Sequence, residues 1–375
     1  MNGSESLWAP RIPVQVVPDR TLRIKVIDTC GLACTFCHNE GTPVTVDALR
    51  IRRGESTKTG RVSIYERTNG VSFLADRAEP DEGFTTAVRQ LIQRFGIEEI
   101  HLTGGEPTLH PRLSDIVAAL RSLGVVVGMT SNGENGAKTL ANCALAGLQR
   151  VNFSIFGTTP EELASVQGFA FADPHRAKKK IAALQASIEV ATSAGVSVSA
   201  NLVVPDMSHE QRVRRLLGEY SPKLQVRLLN SLDQGDRSII AIFRILERLG
   251  ARSINHRVTA GASGYRTVFH LTDGREIHFK RIRSVRLPDT CASCQWNNPK
   301  DCQEGYYGLR MYRATDGRYM VGVCIQRMDL CQPVEQFVNS PLAEEVIRLR
   351  RTELMNTSEA NDGALLGKHE FAAKR

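Results

Sequence analysis

The sequence predicts an α/β protein organised around a parallel sheet, on three observations. From about residue 21 to 230, short apolar runs alternate with stretches of helical periodicity, as repeated βα units do. Polar, glycine-rich clusters close several of these runs, at the strand ends where α/β sheets and barrels build their sites. Three cysteines, Cys30, Cys34 and Cys37, follow the first run on one short loop.

The elements follow in order. Leu22-Arg23-Ile24-Lys25-Val26-Ile27 alternates as a strand and leads into the cysteine loop. Phe84, Val88, Leu91, Ile92 and Phe95 recur at helical spacing, and Gly96 stops that helix. Glu99–Thr103 is a strand ending in Gly104-Gly105-Glu106-Pro107. A helix over Leu113–Leu123 precedes a strand at Val125–Met129, which ends in Thr130-Ser131-Asn132-Gly133. Val151–Ile155 is a further strand, the helix Arg176–Ala194 precedes the strand Val196–Val204, and Leu224–Leu229 supplies the last.

Residues 42–83 interrupt this rhythm, with a hairpin expected around Arg61–Leu74 turning at Asn69-Gly70. The insertion reads equally as a lid or as surface elaboration. After residue 236 the pattern changes to a helix at Ile239–Leu249 and a hairpin, Thr267–Leu271 and Glu276–Ile282, around Thr272-Asp273-Gly274. We therefore expect a barrel over 1–235, a second domain over 236–355 and a flexible tail over 356–375.

With 375 residues, 42% apolar and 23% charged, the chain has the composition of a globular enzyme of roughly two domains. Met1 to Gln15 holds no apolar run, and no stretch reaches the ~20 residues of a membrane-spanning helix, so a cytoplasmic protein is expected. Nine cysteines without a secretion signal point to metal ligation in a reducing compartment. The net charge of +8 is compatible with nucleic acid or a small anion. Its two dense segments, Arg176–Lys180 and Lys280–Arg286, lack interleaved aromatics and read as solvated faces or small-anion contacts rather than as a nucleic-acid platform.

The C-x3-C-x2-C spacing of Cys30, Cys34 and Cys37 lets three thiolates reach three corners of a [4Fe–4S] cubane, leaving one iron open to a small molecule. Taken alone, it also admits a zinc knuckle completed by His38, or three core thiols. A second group, Cys291, Cys294, Cys302, Cys324 and Cys331, points to a second metal centre. Cys143 lies on a helical pattern and reads as a buried apolar residue.

With the cysteine triplet after the first strand, Gly104-Gly105-Glu106-Pro107 after a later one and Thr130-Ser131-Asn132-Gly133 after the next, residues 20–230 resemble the radical S-adenosylmethionine (SAM) superfamily. The resemblance implies a partial (β/α)6, TIM-like barrel in which the cysteines hold a catalytic [4Fe–4S] cluster. SAM binds the open iron and is reductively cleaved to a 5′-deoxyadenosyl radical that abstracts hydrogen from substrate. Gly104 and Gly105 would let backbone approach the ligand, and Glu106 suits the SAM ammonium. Ser131, Asn132, Ser154 and Asn201 are candidates for its carboxylate and ribose, or else loop-capping residues.

The second half narrows the likeness. Cys291-Ala292-Ser293-Cys294 after a hairpin, then Leu309–Gly317 leading to Cys324, resembles the GTP 3′,8-cyclase branch of molybdenum-cofactor biosynthesis. That branch carries a C-terminal α+β domain with an auxiliary [4Fe–4S] cluster. By resemblance Arg23, Arg227 and Arg310 contact a nucleotide, as bidentate arginine suits phosphate. An anionic small-molecule substrate follows, with an electron donor such as flavodoxin or ferredoxin. No membrane or nucleic-acid polymer is implied.

The chain departs from the branch at Ser199 and Tyr312, which replace a lysine and an arginine. It also has a longer gap from Cys294 to Cys324, holding Cys302, and it ends in Ala372-Ala373-Lys374-Arg375 rather than a glycine pair. Cys302 or Cys331 would close the second cluster. The competing readings are a peptide-modifying radical SAM enzyme and a metal-binding scaffold without catalysis.

Overall fold

Alternation along each strand separates a core from a cavity. In a computed structural model, which describes residues 13–38, 40, 75–168, 172–299 and 301–359, the strands are β1 Val14–Pro18, β2 Thr21–Lys25, β3 Ala75–Asp76, β4 Glu99–Thr103, β5 Val126–Ser131, β6 Arg150–Ser154, β7 Ser197–Val204, β8 Gln225–Asn230, β9 Arg252–Ala260, β10 Gly264–His270, β11 Glu276–Ile282, β12 Leu309–Ala314, β13 Tyr319–Gly322 and β14 Gln332–Pro333. The helices are α1 Glu82–Phe95, α2 Leu113–Ser122, α3 Gly136–Leu145, α4 Pro160–Ser165, α5 Pro174–Ser193, α6 Glu210–Glu219, α7 Gly235–Arg248, α8 Val334–Phe337 and α9 Pro341–Glu359.

Strands β2, β4, β5, β6, β7 and β8 pair in that order, all parallel. They form the six-stranded partial (β/α)6 barrel that the sequence led us to expect. Leu22, Ile24, Ile100, Leu102, Val127, Met129, Val151, Phe153, Ala200, Leu202, Val226 and Leu228 are buried on the helix side. Their alternate neighbours Arg23, His101, Thr130, Asn152, Asn201 and Arg227 line a cavity. A closed barrel fills its interior with branched apolar side chains; here that row is polar, and the interior stays open.

The later strands extend the same sheet at both edges. β11 pairs in parallel with β8 and continues through β10 and β9 to β1, while β12 pairs in parallel with β2 and continues to β13 and β14. β3 pairs with β12, so the described end of the 42–83 insertion, from Ala75, joins this edge. The rest of the insertion, including the expected hairpin at 61–74, lies outside the described residues, as do residues 1–12 and 360–375.

Local chemistry sets the boundaries. The Asp81 carboxylate accepts Phe84 N–H at 2.7 Å to open α1, a cap worth about 1 kcal/mol. Gly96 closes it at φ 60°. Cys143 is buried on α3, as expected. β1, β9 and α6 escape the sequence reading because their runs are short or interleaved with charge. No helix among the described residues is long and apolar enough to cross a membrane.

Candidate active site

The cysteine loop leaves β2 and is clamped from three sides. Gly105 N–H donates to Ile27 O at 2.7 Å and Glu106 N–H to Thr29 O at 2.9 Å. A Cβ on Gly105 would stand 2.2 Å from Asp28 O, and one on Gly104 2.5 Å from Ile27 O. The glycine pair therefore serves a close approach to the chain's own backbone at the loop entry, not only to a ligand.

Glu106 fixes the next clamp. Its Oε1 accepts Thr108 N–H at 3.0 Å, Thr108 Oγ1–H at 2.6 Å and Ser131 Oγ–H at 2.7 Å, and its Oε2 accepts Asn132 N–H at 2.6 Å. The residue is 1% exposed. Burial raises its carboxyl above the ordinary range, although the four donors favour the charged form. This carboxylate ties the β4 loop to the end of β5. Ser131, itself buried, also accepts Gly133 N–H at 2.9 Å.

Asn132 then turns its side chain onto the cysteines, with Nδ2–H donating to Cys30 Sγ at 3.4 Å. Leu32 N–H points at the same sulfur at 3.5 Å. The third clamp is Gln167, just past α4, which sequence reasoning missed. Its Nε2–H donates to Cys34 Sγ at 3.3 Å while its Oε1 accepts Ala33 N–H at 2.8 Å. Glu134, also missed, accepts Gly31 N–H at 2.7 Å and pairs with Lys180. A Cβ on Gly31 would lie 1.5 Å from the Glu134 carboxylate.

Cys30, Cys34 and Cys37 all line the barrel cavity, whose volume is about 1100 Å³. That is at or above the roughly 300–1,000 Å³ of typical ligand pockets, room for a cofactor and a substrate together. Burial raises the Cys30 thiol, with Glu106 and Cys34 adding to it, and pushes Cys34 up to about 12. Half-buried sulfurs that receive N–H donors but, among the described residues, no countercharge suit thiolates neutralised by metal. A cubane takes its thiolates at separate corners, and these three stand on one cavity wall. The donor set thus fits a cluster. Phe36, 46% exposed, meets Phe156 edge-on at 5.3 Å, and both line the cavity, offering an aromatic surface to a purine.

The other residues singled out in the sequence divide. Gly104, Gly105, Glu106, Ser131, Asn132, Ser154, Asn201, Arg23 and Arg227 all lie on the cavity wall. Arg227 Nη1–H donates to Asn152 Oδ1 at 2.8 Å, which also accepts Ser199 Oγ–H at 2.7 Å. Arg310 does not line this cavity. It is 1% exposed, its Nε–H donates to Glu40 Oε2 at 2.7 Å, and its guanidinium and that of Arg23 lie 4.2 and 4.3 Å from the Tyr307 ring centroid. Burial would raise the Glu40 carboxyl, but Arg310, with His38 and Arg23, overrides it and lowers it to about 2. Tyr312 Oη–H donates to Glu40 O at 2.9 Å, holding that residue at φ 55°. The solvated-face reading fails for both basic segments in part: Lys180 pairs with Glu134, and Arg283 donates to Glu353 at 2.6 Å.

The second cysteine group gathers elsewhere. Cys291, Cys294, Cys302 and Cys324 line one smaller cavity with Arg327 and Tyr306. Leu287 N–H donates to Cys291 Sγ at 3.3 Å, and Arg327 Nη1–H approaches Cys294 Sγ at 3.7 Å. Burial raises Cys302 and Cys324, and pushes Cys291 up to about 11. Cys331 is absent from that wall and packs against Tyr312 and Met328.

The sequence profile of the Radical SAM superfamily matches residues 24–218. A "Probable GTP 3′,8-cyclase" of Aeropyrum pernix is 27% identical over 285 residues, 74% of this chain and 70% of that protein. The "GTP 3′,8-cyclase" of Cronobacter sakazakii is 27% identical over 289 residues, 73% and 74%. Among solved structures, Streptococcus suis SuiB bound to S-adenosylmethionine is similar at 14% identity and TM-score 0.47, over 87% of this chain and 63% of SuiB.

Proposed function

Since the chain belongs to the radical SAM superfamily and is an enzyme of that kind, we propose that it acts on a small anionic biosynthetic substrate, nucleotide-, nucleoside- or sugar-like, held in the barrel beside SAM. The observation that carries this reading is one cavity of about 1100 Å³ with Cys30, Cys34 and Cys37 and the arginines Arg23 and Arg227 on the same wall. When bound, a [4Fe–4S] cluster and SAM supply a reducing electron and a hydrogen-abstracting radical.

The chain's own residues hold and shield that chemistry. Cys30, Cys34 and Cys37 would ligate the cluster, with Asn132 and Gln167 directing N–H groups at its thiolates. Gly104, Gly105, Glu106 and Ser131 fix the cradle for SAM, and Asn132, Ser154 and Asn201 offer it polar atoms. Arg23 and Arg227 bind the substrate's negative charge, and Arg310 positions Arg23 through Tyr307. Cys291, Cys294, Cys302 and Cys324 would hold a second [4Fe–4S] cluster with a thiolate for every corner, which leaves it a structural or electron-relaying role. The electron comes from a carrier such as flavodoxin or ferredoxin.

The named relatives bring the cyclase reaction into view; the lysine of that pattern is Ser199 here, buried and donating to Asn152 Oδ1, which Arg227 also meets. Anaerobic reconstitution with dithionite and SAM tests the reading. Wild type forms 5′-deoxyadenosine and Cys34→Ala forms none; SAM cleavage retained by Cys34→Ala would refute it.

A further inference from the structure

The cavity carries a charge imbalance. Every acid on its wall has a partner: Glu99 with Arg150, Glu40 with Arg310, Asp19 with Arg350, Asp28 with Lys25, Glu98 with Arg20, and Glu106 with its four donors. Besides Arg23, which stacks on Tyr307, four cations on the same wall, Arg227, Arg257, Arg266 and Lys280, have no carboxylate within ion-pair distance among the described residues. The acid that acts on Lys280, Glu304, stands off the wall, accepts Ser263 Oγ–H at 2.9 Å, and is itself raised by burial.

Three of these cations form a ladder. In the antiparallel strands β9, β10 and β11, Arg257 lies directly opposite Arg266, and Arg266 directly opposite Lys280. Like charges directly opposite across antiparallel strands destabilise a sheet, and here the arrangement occurs twice in succession, facing a cavity. Arg227 stands on the neighbouring strand β8, whose Leu229 pairs with Lys280. The groups feel one another: burial and then Arg23 hold Lys280 down to about 8, and burial, Arg266 and Arg150 hold Arg227 at about 9. A monocarboxylate would neutralise one of the four. A phosphate ester or diphosphate carries the charge and the several acceptor oxygens that the set requires.

We propose that Arg257, Arg266 and Lys280, with Arg227, form a subsite for a phosphate ester or diphosphate, fixing the charged end of the substrate on the β9–β11 side while its reacting carbon faces the Cys30–Cys37 loop. This rests on the reading of the cavity as the substrate site. The subsite lies on strands beyond the parallel barrel, so the barrel motifs do not report it.

Calorimetric titration of the ligand-free protein with inorganic pyrophosphate, against acetate, tests it. Wild type binds pyrophosphate saturably and acetate not over the same range. Lys280→Met and Arg266→Met each weaken pyrophosphate binding at least about tenfold, Lys280→Arg retains it, and the exposed Arg318→Met leaves it unchanged. Without ligand, Lys280→Met melts no lower than wild type, since it relieves a like-charge contact. Pyrophosphate binding unaffected in Lys280→Met and Arg266→Met, acetate binding as tight as pyrophosphate, or a lower melting temperature for ligand-free Lys280→Met would each overturn the proposal. Pyrophosphate binding needs neither cluster nor SAM, so Cys34→Ala keeps it. Failure of 5′-deoxyadenosine formation by wild type would count against the radical reading and leave the anion subsite standing.

Discussion

Replacing Glu106 with Gln separates two roles for that carboxylate. A residue needed only to meet the ammonium group of SAM would leave the ligand-free fold unchanged. In the structure both oxygens receive donors, and two of these, Thr108 N–H and Asn132 N–H, are backbone groups that cannot reverse direction. Wherever the new amide NH2 is placed, it faces one of them, while the Thr108 and Ser131 hydroxyls rotate to adapt. One hydrogen bond to a charged acceptor, worth about 1.5–3 kcal/mol, is lost, and an unsatisfied buried donor adds about 1–3 kcal/mol. Allowing for overlap between these contributions, Glu106→Gln should destabilise the ligand-free protein by about 2–4 kcal/mol. Urea unfolding without cluster or SAM measures this as a lower midpoint at unchanged slope. Ser131→Ala, which removes one of the four donors, should cost about 1 kcal/mol. A Glu106→Gln protein within about 0.5 kcal/mol of wild type would refute the reasoning, since such a change is typical of unconstrained surface sites.

Other expectations follow from the same contacts. Gly31→Ala drives a Cβ into the Glu134 carboxylate and should lower iron retention after anaerobic desalting; unchanged iron content would show that this clamp is dispensable. Gln167→Leu removes the donor to Cys34 Sγ and the acceptor for Ala33 N–H, and should cost about 1–3 kcal/mol and speed loss of the brown chromophore, followed by absorbance. Arg310→Met leaves Glu40 buried without its guanidinium and should cost about 3–5 kcal/mol at pH 7. In wild type the Glu40 carboxyl, lowered to about 2, contributes stability above its unfolded pKa that is lost as pH falls toward 2. In Arg310→Met its buried carboxyl is raised instead, so protonation stabilises the fold and the gap to wild type narrows between pH 7 and pH 4. Urea midpoints at the two pH values check the sign.

Much of the barrel was legible because one physical pattern repeats. Ile100 and Leu102, or Val151 and Phe153, had to be apolar to meet the helices, and the polar residues between them had to face something wet. The strand ends and their clusters followed. What the sequence concealed were partnerships across the fold. Gln167 reaches Cys34 from the end of α4, and nothing local marks that glutamine. Glu40 and Arg310 meet only because β12 joins the sheet beside β2, so the arginine that seemed placed for substrate is drawn to a carboxylate. The turn at Thr272-Asp273-Gly274 did fix the Arg266–Lys280 pairing. The sequence did not tell which face of that hairpin is covered, and so Lys280–Arg286 read either as a solvated face or as small-anion contacts. β9 was not legible as a strand, its run being interleaved with charge, and so the alignment of Arg257 with Arg266 stayed hidden. Cys302 and Cys331 were indistinguishable by spacing; only packing separates the thiol on the small cavity from the one against Tyr312.

Cys30, Cys34 and Cys37 are proposed to hold a cluster with one iron free to bind SAM. Electron paramagnetic resonance of the reduced protein tests it directly, using a variant with Cys291 and Cys294 replaced by Ala so that a single centre contributes. Adding SAM should change the signal, and replacing Cys34 should abolish both the signal and the change. A signal indifferent to SAM, or one that survives loss of Cys34, would contradict the account.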